Sequence, residues 1–280
     1  MSLEKHRFAP TERSWHVNCF ARTICPDSKD GSTPRRLFTM SFHRRHSVQL
    51  TSLALGAVLL VGAAPFAAGA SVNNPTTSSV LKAAQKAMLK ESGVHVKVTS
   101  TNGTDTSNVV VDIGAKYGAE TIQDGAKKVS IIVTPTAAYL SGTKTGLTLI
   151  MGLTAPEQKK VGSLSIVMKA GTTPYQSFAA NLTTSVLPTI LPALKGTTFS
   201  VGSGSKKNYL LTWKTAATSS TGATKNVFTI SSGKKTLPVK EVVTSKGGGG
   251  TTTFSKWGED VTESAPGASS TIAYTKVVAK

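Results

Sequence analysis

The stretch Val94-His95-Val96-Lys97-Val98-Thr99 alternates apolar and polar side chains with a period of two. Successive side chains of a strand point to opposite faces, so the valines look toward a core while His95 and Lys97 look away from it. Further strand candidates follow at 108–113, 116–123, 128–134 and 137–141, separated by turn signals at Asn102-Gly103, Asp124-Gly125 and Gly142. Short turns between closely spaced strands predict an antiparallel meander. Upstream the period is helical. Thr77 or Ser78 is placed to cap a helix in which Val80, Leu81, Ala84, Ala87 and Met88 share a face and Lys82, Lys86 and Lys90 form a polar stripe. Gly93 ends it.

The middle of the chain is greasier. Residues 146–153 (GLTLIMGL) predict a short apolar helix, and Thr154-Ala155-Pro156-Glu157-Gln158 the start of another, with proline tolerated in the first turn. After a strand at 163–169, residues 174–194 place Tyr175, Phe178, Leu182, Val186, Leu187, Ile190, Leu191 and Leu194 at near-helical spacing, interrupted by Pro188 and Pro192. Strands are predicted again at 197–201, 208–214, 226–231, 237–245, 251–257 and 271–278. Gly247 to Gly250 read as a flexible hairpin turn.

The front of the chain reads as targeting sequence. Met40 is followed by His43-Arg44-Arg45-His46, by an uncharged apolar run at 53–64, and by the small-residue sequence Ala68-Gly69-Ala70. This order is that of a secretory signal at 40–70, cleaved between Ala70 and Ser71, with Ala68 and Ala70 as the small residues the peptidase admits. A transmembrane anchor is the alternative, but the run is shorter than the roughly 18–20 apolar residues that span a bilayer. Residues 1–39 are then an over-extended start or a disordered leader. Residues 71–280 form one domain, expected to be monomeric and outside the cytoplasmic membrane, secreted or in the cell envelope. Both cysteines, Cys19 and Cys25, lie ahead of that domain. It therefore has no disulfide, no thiolate nucleophile and no cysteine for lipid attachment.

Charge narrows the partners. Of 32 basic and 14 acidic residues, 9 and 4 lie in residues 1–70, so the remainder carries 23 against 10, a net +13, and all 23 are lysines. A nucleic-acid binder uses arginine for bidentate pairing with guanine and phosphate, so nucleic acid is not expected as a partner. Scattered lysines read as a solvated face, with an anionic membrane or cell-wall surface as the second reading.

No catalytic set stands up. Ser79-Val80-Leu81-Lys82, Ser100-Thr101-Asn102 and Lys144-Thr145-Gly146 match S-x-x-K, S-x-N and K-T-G in order, but lie within 68 residues, closer than the penicillin-binding fold spaces them. His95, the single histidine after residue 70, points outward. The carboxylates show no metal-ligand spacing, and Gly202-Ser203-Gly204-Ser205-Lys206-Lys207 lacks the P-loop spacing. No enzyme, metal or cofactor is expected.

Three C-terminal runs, Thr236-Leu237-Pro238-Val239-Lys240-Glu241-Val242, Thr253-Phe254-Ser255-Lys256-Trp257-Gly258-Glu259-Asp260-Val261-Thr262 and Ser264-Ala265-Pro266, together with the helix-then-strand start at 78–99, resemble the LolA/LppX-like (LppX/LprA/LprF/LprG-type) lipoprotein carriers of actinobacteria. The resemblance spans residues 75–280. It implies an α+β, mostly β fold: a strongly curved antiparallel half-barrel of about ten or eleven strands with helices covering the concave face and an oily cavity between. The family's lipobox cysteine is missing, since Ala70 and Ser71 stand at the junction, so lipid anchoring is not expected. The function expected is binding or carriage of a lipid, acyl chain or other apolar ligand, driven by roughly 25 cal/mol per Å² of apolar area buried. The candidate pocket residues are Leu149, Ile150, Met151, Leu153, Phe178, Leu182, Val186, Leu187, Ile190, Leu191 and Trp213. The alternative is a lysine-rich envelope interaction module whose middle is ordinary solid core.

Overall fold

The alternating segments do form a meander. In the computed structural model, which describes residues 75–203, 207–217 and 222–278, β1 (Gly93–Asn102), β2 (Asp105–Gly114), β3 (Gly118–Asp124), β4 (Lys127–Val133) and β5 (Ala137–Gly142) pair in succession. Gly103 and Gly125, at φ 59° and 56°, make the first and third of these turns, in the left-handed region that costs glycine least. Two helices follow, α2 (Lys144–Met151) and α3 (Ala155–Val161), the latter with Pro156 in its first turn. Then come β6 (Ser165–Lys169), α4 (Thr173–Leu182) and a 3-10 segment, Thr184–Ile190, with Pro188 inside it. The near-helical run breaks at Thr183, whose backbone is extended, and Pro188, which lacks an amide donor, stands inside the second piece. The second half adds β7 (Thr198–Val201), β8 (Tyr209–Thr215), β9 (Thr224–Ile230), β10 (Pro238–Ser245), β11 (Gly248–Ser255), the short β12 (Thr271–Ala273) and α5 (Tyr274–Val277).

All twelve strands belong to one sheet, ordered β12-β6-β5-β4-β3-β2-β1-β11-β10-β9-β8-β7. The central pairing of β1 with β11 joins two meanders, and β12 alone runs parallel to its neighbour. Three expectations are corrected here. The sheet is mixed and mostly antiparallel, and it is not strongly curled into a half-barrel. Its two halves each bury their own helices, so no single core requires the sheet to wrap around it. Residues 271–278 are a three-residue strand followed by a helical turn, not one long strand. Gly248, Gly249 and Gly250 are strand, paired with Thr101, Asn102 and their neighbours in β1 rather than turn residues. A Cβ on Gly248 would meet the Thr101 carbonyl, and one on Gly249 the Val243 carbonyl, so the glycines admit close strand approach.

The first helix, α1 (Thr77–Met88), is capped one residue earlier than expected. The Thr76 hydroxyl accepts from the Ser79 amide at 3.2 Å, and the Thr76 amide donates to Ser79 Oγ at 2.9 Å. Its buried residues Val80, Ala84 and Met88 join Leu187 and Ile190 of the 3-10 segment over β1, β8, β9 and β11, where Leu211, Phe228, Ile230 and Phe254 complete one cluster. The second cluster sets Leu147, Leu153, Val161, Leu182 and Val277 on Val129, Ile131, Val133, Leu140, Ile166 and Met168 of β4 to β6. Both clusters lie on one face of the sheet, here the inner face.

On the outer face the chain from β11 to β12 crosses the base of β1 and β2. The Gly258 amide donates to the Gly93 carbonyl at 2.9 Å, and the Ser92 hydroxyl donates to the Gly258 carbonyl at 2.8 Å. The crossing is tight: side chains at Gly93 and Gly114 would collide with Glu259 and Val261. Among the described residues no helix is long and apolar enough to cross a membrane.

Candidate functional site

Cross-strand register arranges the inner face in rows. One runs Leu140, Ile131, Glu120, Val111, Val96, Phe254. The next runs Val129, Ile122, Val109, Val98, Thr252, Glu241, Phe228, Leu211. The flanks of these rows disappear under helices, but Val98, Val111, Ile122 and Glu120 near the middle remain half-buried. Val111 borders both clusters, so the middle of the sheet is a seam between two helix-covered halves.

Two carboxyls face into this apolar surface. Glu241, flanked by Phe228 and Thr252, is only 7% exposed. Glu120 lies between Val111 and Ile131. Neither has a hydrogen-bond or ion-pair partner among the described residues. Burial alone pushes each carboxyl up to about 7, because the charged form has lost its water and gained no donor. Ser107 shares the face and is 4% exposed, and its hydroxyl also lacks a partner. Native proteins leave few buried polar atoms unsatisfied, so a buried unpaired hydroxyl beside two carboxyls that lack donors calls for an explanation.

The sequence reading gave neither acid a role, although strand phase contains them. Glu120 keeps step with Ile122. Glu241 keeps step with Val243, while an irregularity between Pro238 and Lys240 turns Val239 outward, 38% exposed.

The predicted pocket residues divide between the two clusters. Leu187 and Ile190 are buried in the first, where Val186, Leu191 and Trp213 are half-buried at its border. Leu153 and Leu182 are buried in the second, bordered by half-buried Ile150, Met151 and Phe178. Leu149 is half-buried and belongs to neither. The predicted cleavage residues Ala68, Ala70 and Ser71, and the expected leader and signal at 1–70, lie outside the described residues.

The outer face carries a polar niche of about 180 Å³ between the crossing chain and the base of β1 and β2, lined by His95, Asp112, Lys256, Glu259, Thr262 and Glu263 among others. His95 Nδ1 stands 2.7 Å from Asp112 Oδ1. Desolvation first, and the Asp112 charge second, push the Glu263 carboxyl up from its ordinary value. The histidine and aspartate side chains retain 29% and 36% exposure, so solvent screens the pair. Asp112→Asn is accordingly expected to change unfolding free energy by less than about 1 kcal/mol in a urea titration.

The short catalytic matches do not converge. Ser79 serves the α1 capping box, Ser100 is inside β1, and Lys144 opens α2 just after β5. β1 and β5 are four strand spacings apart, roughly 19 Å. Among the described residues no group of three or more His, Cys, Asp or Glu is arranged to hold a metal.

The fold is similar to that of two mycobacterial lipoproteins. LppX from Mycobacterium tuberculosis is 14% identical, with 67% of this chain and 99% of that chain covered and a TM-score of 0.39. LprF from Mycobacterium bovis is 15% identical, with 67% and 95% covered and a TM-score of 0.38. A DUF1329 family protein from Desulfovibrio piger shares 8% identity, with 68% and 96% covered and a TM-score of 0.25. No family model matches the chain, and no curated protein does. Likeness at this level concerns the arrangement of strands and helices and not individual site residues.

Proposed function

We propose that this protein binds, and shuttles outside the cytoplasmic membrane, a hydrophobic molecule held non-covalently on the inner face of its sheet. The observation that carries the reading is the half-buried apolar seam, where Val98 on the border of the first cluster, Ile122 on the border of the second and Val111 on the border of both stay only partly covered. Apolar side chains left in water at the centre of a sheet gain free energy from any apolar partner that covers them, at roughly 25 cal/mol per Å². Ligand sites of this kind are mostly apolar with a few placed polar groups, which Glu120, Glu241 and Ser107 supply. The border residues Ile150, Met151, Phe178, Val186, Leu191 and Trp213 are the helix-side and strand-side walls. The deeply buried Leu153, Leu182, Leu187 and Ile190 hold those walls in place from behind, and Leu149 extends the wall formed by α2. No bond-making chemistry is part of this function. Export through a signal at 40–70, cleaved after Ala70, completes the reading.

The test is binding of decanol to the full chain by titration calorimetry, together with mass spectrometry of organic extracts of the purified protein. Saturable binding is expected, weakened about tenfold by Val111→Gln, which puts an amide on the seam. An empty extract and no decanol uptake would remove this reading.

One observation favours a second reading. Register sets exposed Lys97 and Lys240 on either side of half-buried Thr253 in one outer row, and exposed Lys214, Lys225 and Thr244 in another. These rows form a basic face suited to an anionic membrane or cell-wall polymer. Binding to anionic vesicles that disappears as ionic strength rises distinguishes it, since an apolar seam barely responds to salt.

A further inference from the structure

The inner face is not a neutral oily surface, and its polar groups say what kind of molecule belongs there. Glu241 is more than nine-tenths buried, with Phe228 opposite it on one side and Thr252 on the other, and no lysine pairs with it. Other acids of the chain are treated differently. Glu91, buried to a similar degree, is held by Lys235 at 2.8 Å, and Asp124 by Lys127 at 2.8 Å. Among the described residues lysines thus pair with Glu91 and Asp124, and none pairs with Glu241 or Glu120.

An unpaired carboxyl on an apolar face is a net cost to folding unless something else compensates it. Across the seam from Glu241 stand Glu120, half-buried and without a donor among the described residues, and Ser107, whose buried hydroxyl has no partner among them. Ser107 can donate its own proton, but it has no acceptor within reach either. Between the two acids the two rows are apolar apart from Thr252, while Ser107 has Ser100 and Asp124 as its cross-strand neighbours. The surface therefore offers acceptors at its margins and hydrocarbon between them.

We propose, building on the inner-face binding reading above, that the ligand is an amphiphile whose polar end donates hydrogen bonds and carries no negative charge, a primary amine above all, and that Glu241 is the group that receives it. Glu120 is a second acceptor for a ligand long enough to reach it. The two acids are four strand spacings apart, roughly 19 Å, so one small headgroup does not touch both. Anionic lipids are the class this arrangement rejects. A fatty-acid carboxylate carried to Glu241 meets a like charge in a poorly solvated place, whereas an ammonium there supplies the missing donor and the missing charge together.

The net charge of the whole chain makes the test sharp. At +18 the protein attracts anions and repels cations by its overall field, so non-specific adsorption favours a carboxylate over an amine. A preference in the opposite direction has to come from a local group.

The experiment measures dissociation constants of decylamine, decanol and decanoate for the full chain, below their micelle concentrations, at pH 8, where the amine is protonated and the acid ionised. The expected order is decylamine tightest, with decanoate at least about tenfold weaker. Glu241→Gln keeps the shape and removes the charge. It is expected to weaken decanol less than decylamine and to bring decylamine and decanoate within about threefold of each other. Equal binding of the two charged ligands to the parent protein, or tighter binding of decanoate, overturns the proposal while leaving apolar binding intact. A full amine preference surviving in Glu241→Gln overturns the assignment to Glu241. Failure of all three ligands, decanol included, instead removes the inner-face binding reading itself. The melting temperature of the variant, expected to equal or exceed that of the parent at pH 8, shows that the fold is retained.

Discussion

The melting temperature of this protein is expected to fall as the pH rises from 5 to 8, and Glu241→Gln is expected to remove much of that fall. Glu120 and Glu241 titrate near 4.5 when the chain is unfolded and about 7 when it is folded. Between those values the folded state holds protons that the unfolded state has released. Stability therefore decreases with rising pH across that window and levels off above it. Below about 4.5 both states are protonated at these two positions, and their contribution to the slope vanishes. The sign is opposite to that of an acid held by a lysine, whose ionised form stabilises the fold.

The magnitude follows from linkage. A shift of this size at one acid corresponds to at most about 3 kcal/mol, and relaxation with water entry at the seam brings the expected loss to about 1–2 kcal/mol for Glu241 and less for half-exposed Glu120. In a domain of roughly 200 residues each kcal/mol moves the midpoint by about 2–4 °C. Scanning calorimetry on the parent and on Glu241→Gln at pH 5, 6, 7 and 8 isolates the Glu241 part, whatever other groups titrate. Parallel curves for the two proteins would show that the Glu241 carboxyl is solvated or compensated in the folded state.

Why these two acids escaped the sequence reading, when so much else was legible, comes down to phase. The period of two in β1 and the short β-rich runs between turn signals at Asn102-Gly103 and Asp124-Gly125 place the strands of the first meander. The apolar run at 146–153, the proline-containing helix start after it and the broken run at 174–194 are equally local signals, and each became an element. Alternation puts a charged residue in step with valines on the same face as they are. Chemistry argues for placing such a residue in water, and at Glu120 and Glu241 register overrides that preference. The same limit applies to the glycines of β11: their composition matches a turn, and only the neighbouring strands show that close approach is the reason for them. Sheet curvature is a property of how the two halves share their helices, and no stretch of sequence encodes it alone.

The α4–sheet junction is where a single methyl group is expected to do the most damage. Gly118 opens β3 on the inner face, and a Cβ there would run into both the carbonyl and the Cβ of Leu182, the last residue of α4. The obstacle is main chain, so no side-chain rotation relieves it. Thr183, the next residue, forms a bridge with Gly114 at the end of β2, which ties the same point of the chain to the sheet a second time. Leu182 is itself buried in the second cluster, and the 3-10 segment that follows carries Leu187 and Ile190 into the first. Moving this junction outward thus loosens both halves. Gly118→Ala is expected to lower unfolding free energy by about 3 kcal/mol, the upper end for overpacking, as a shift of the urea midpoint at unchanged slope. Gly233→Ala, where the added methyl meets nothing within 4 Å, is the control and is expected to stay within about 0.5 kcal/mol. If Gly118→Ala behaved like the control, α4 would not rest on the sheet at this point, and the seam between the clusters would lose one of the two supports that define its width.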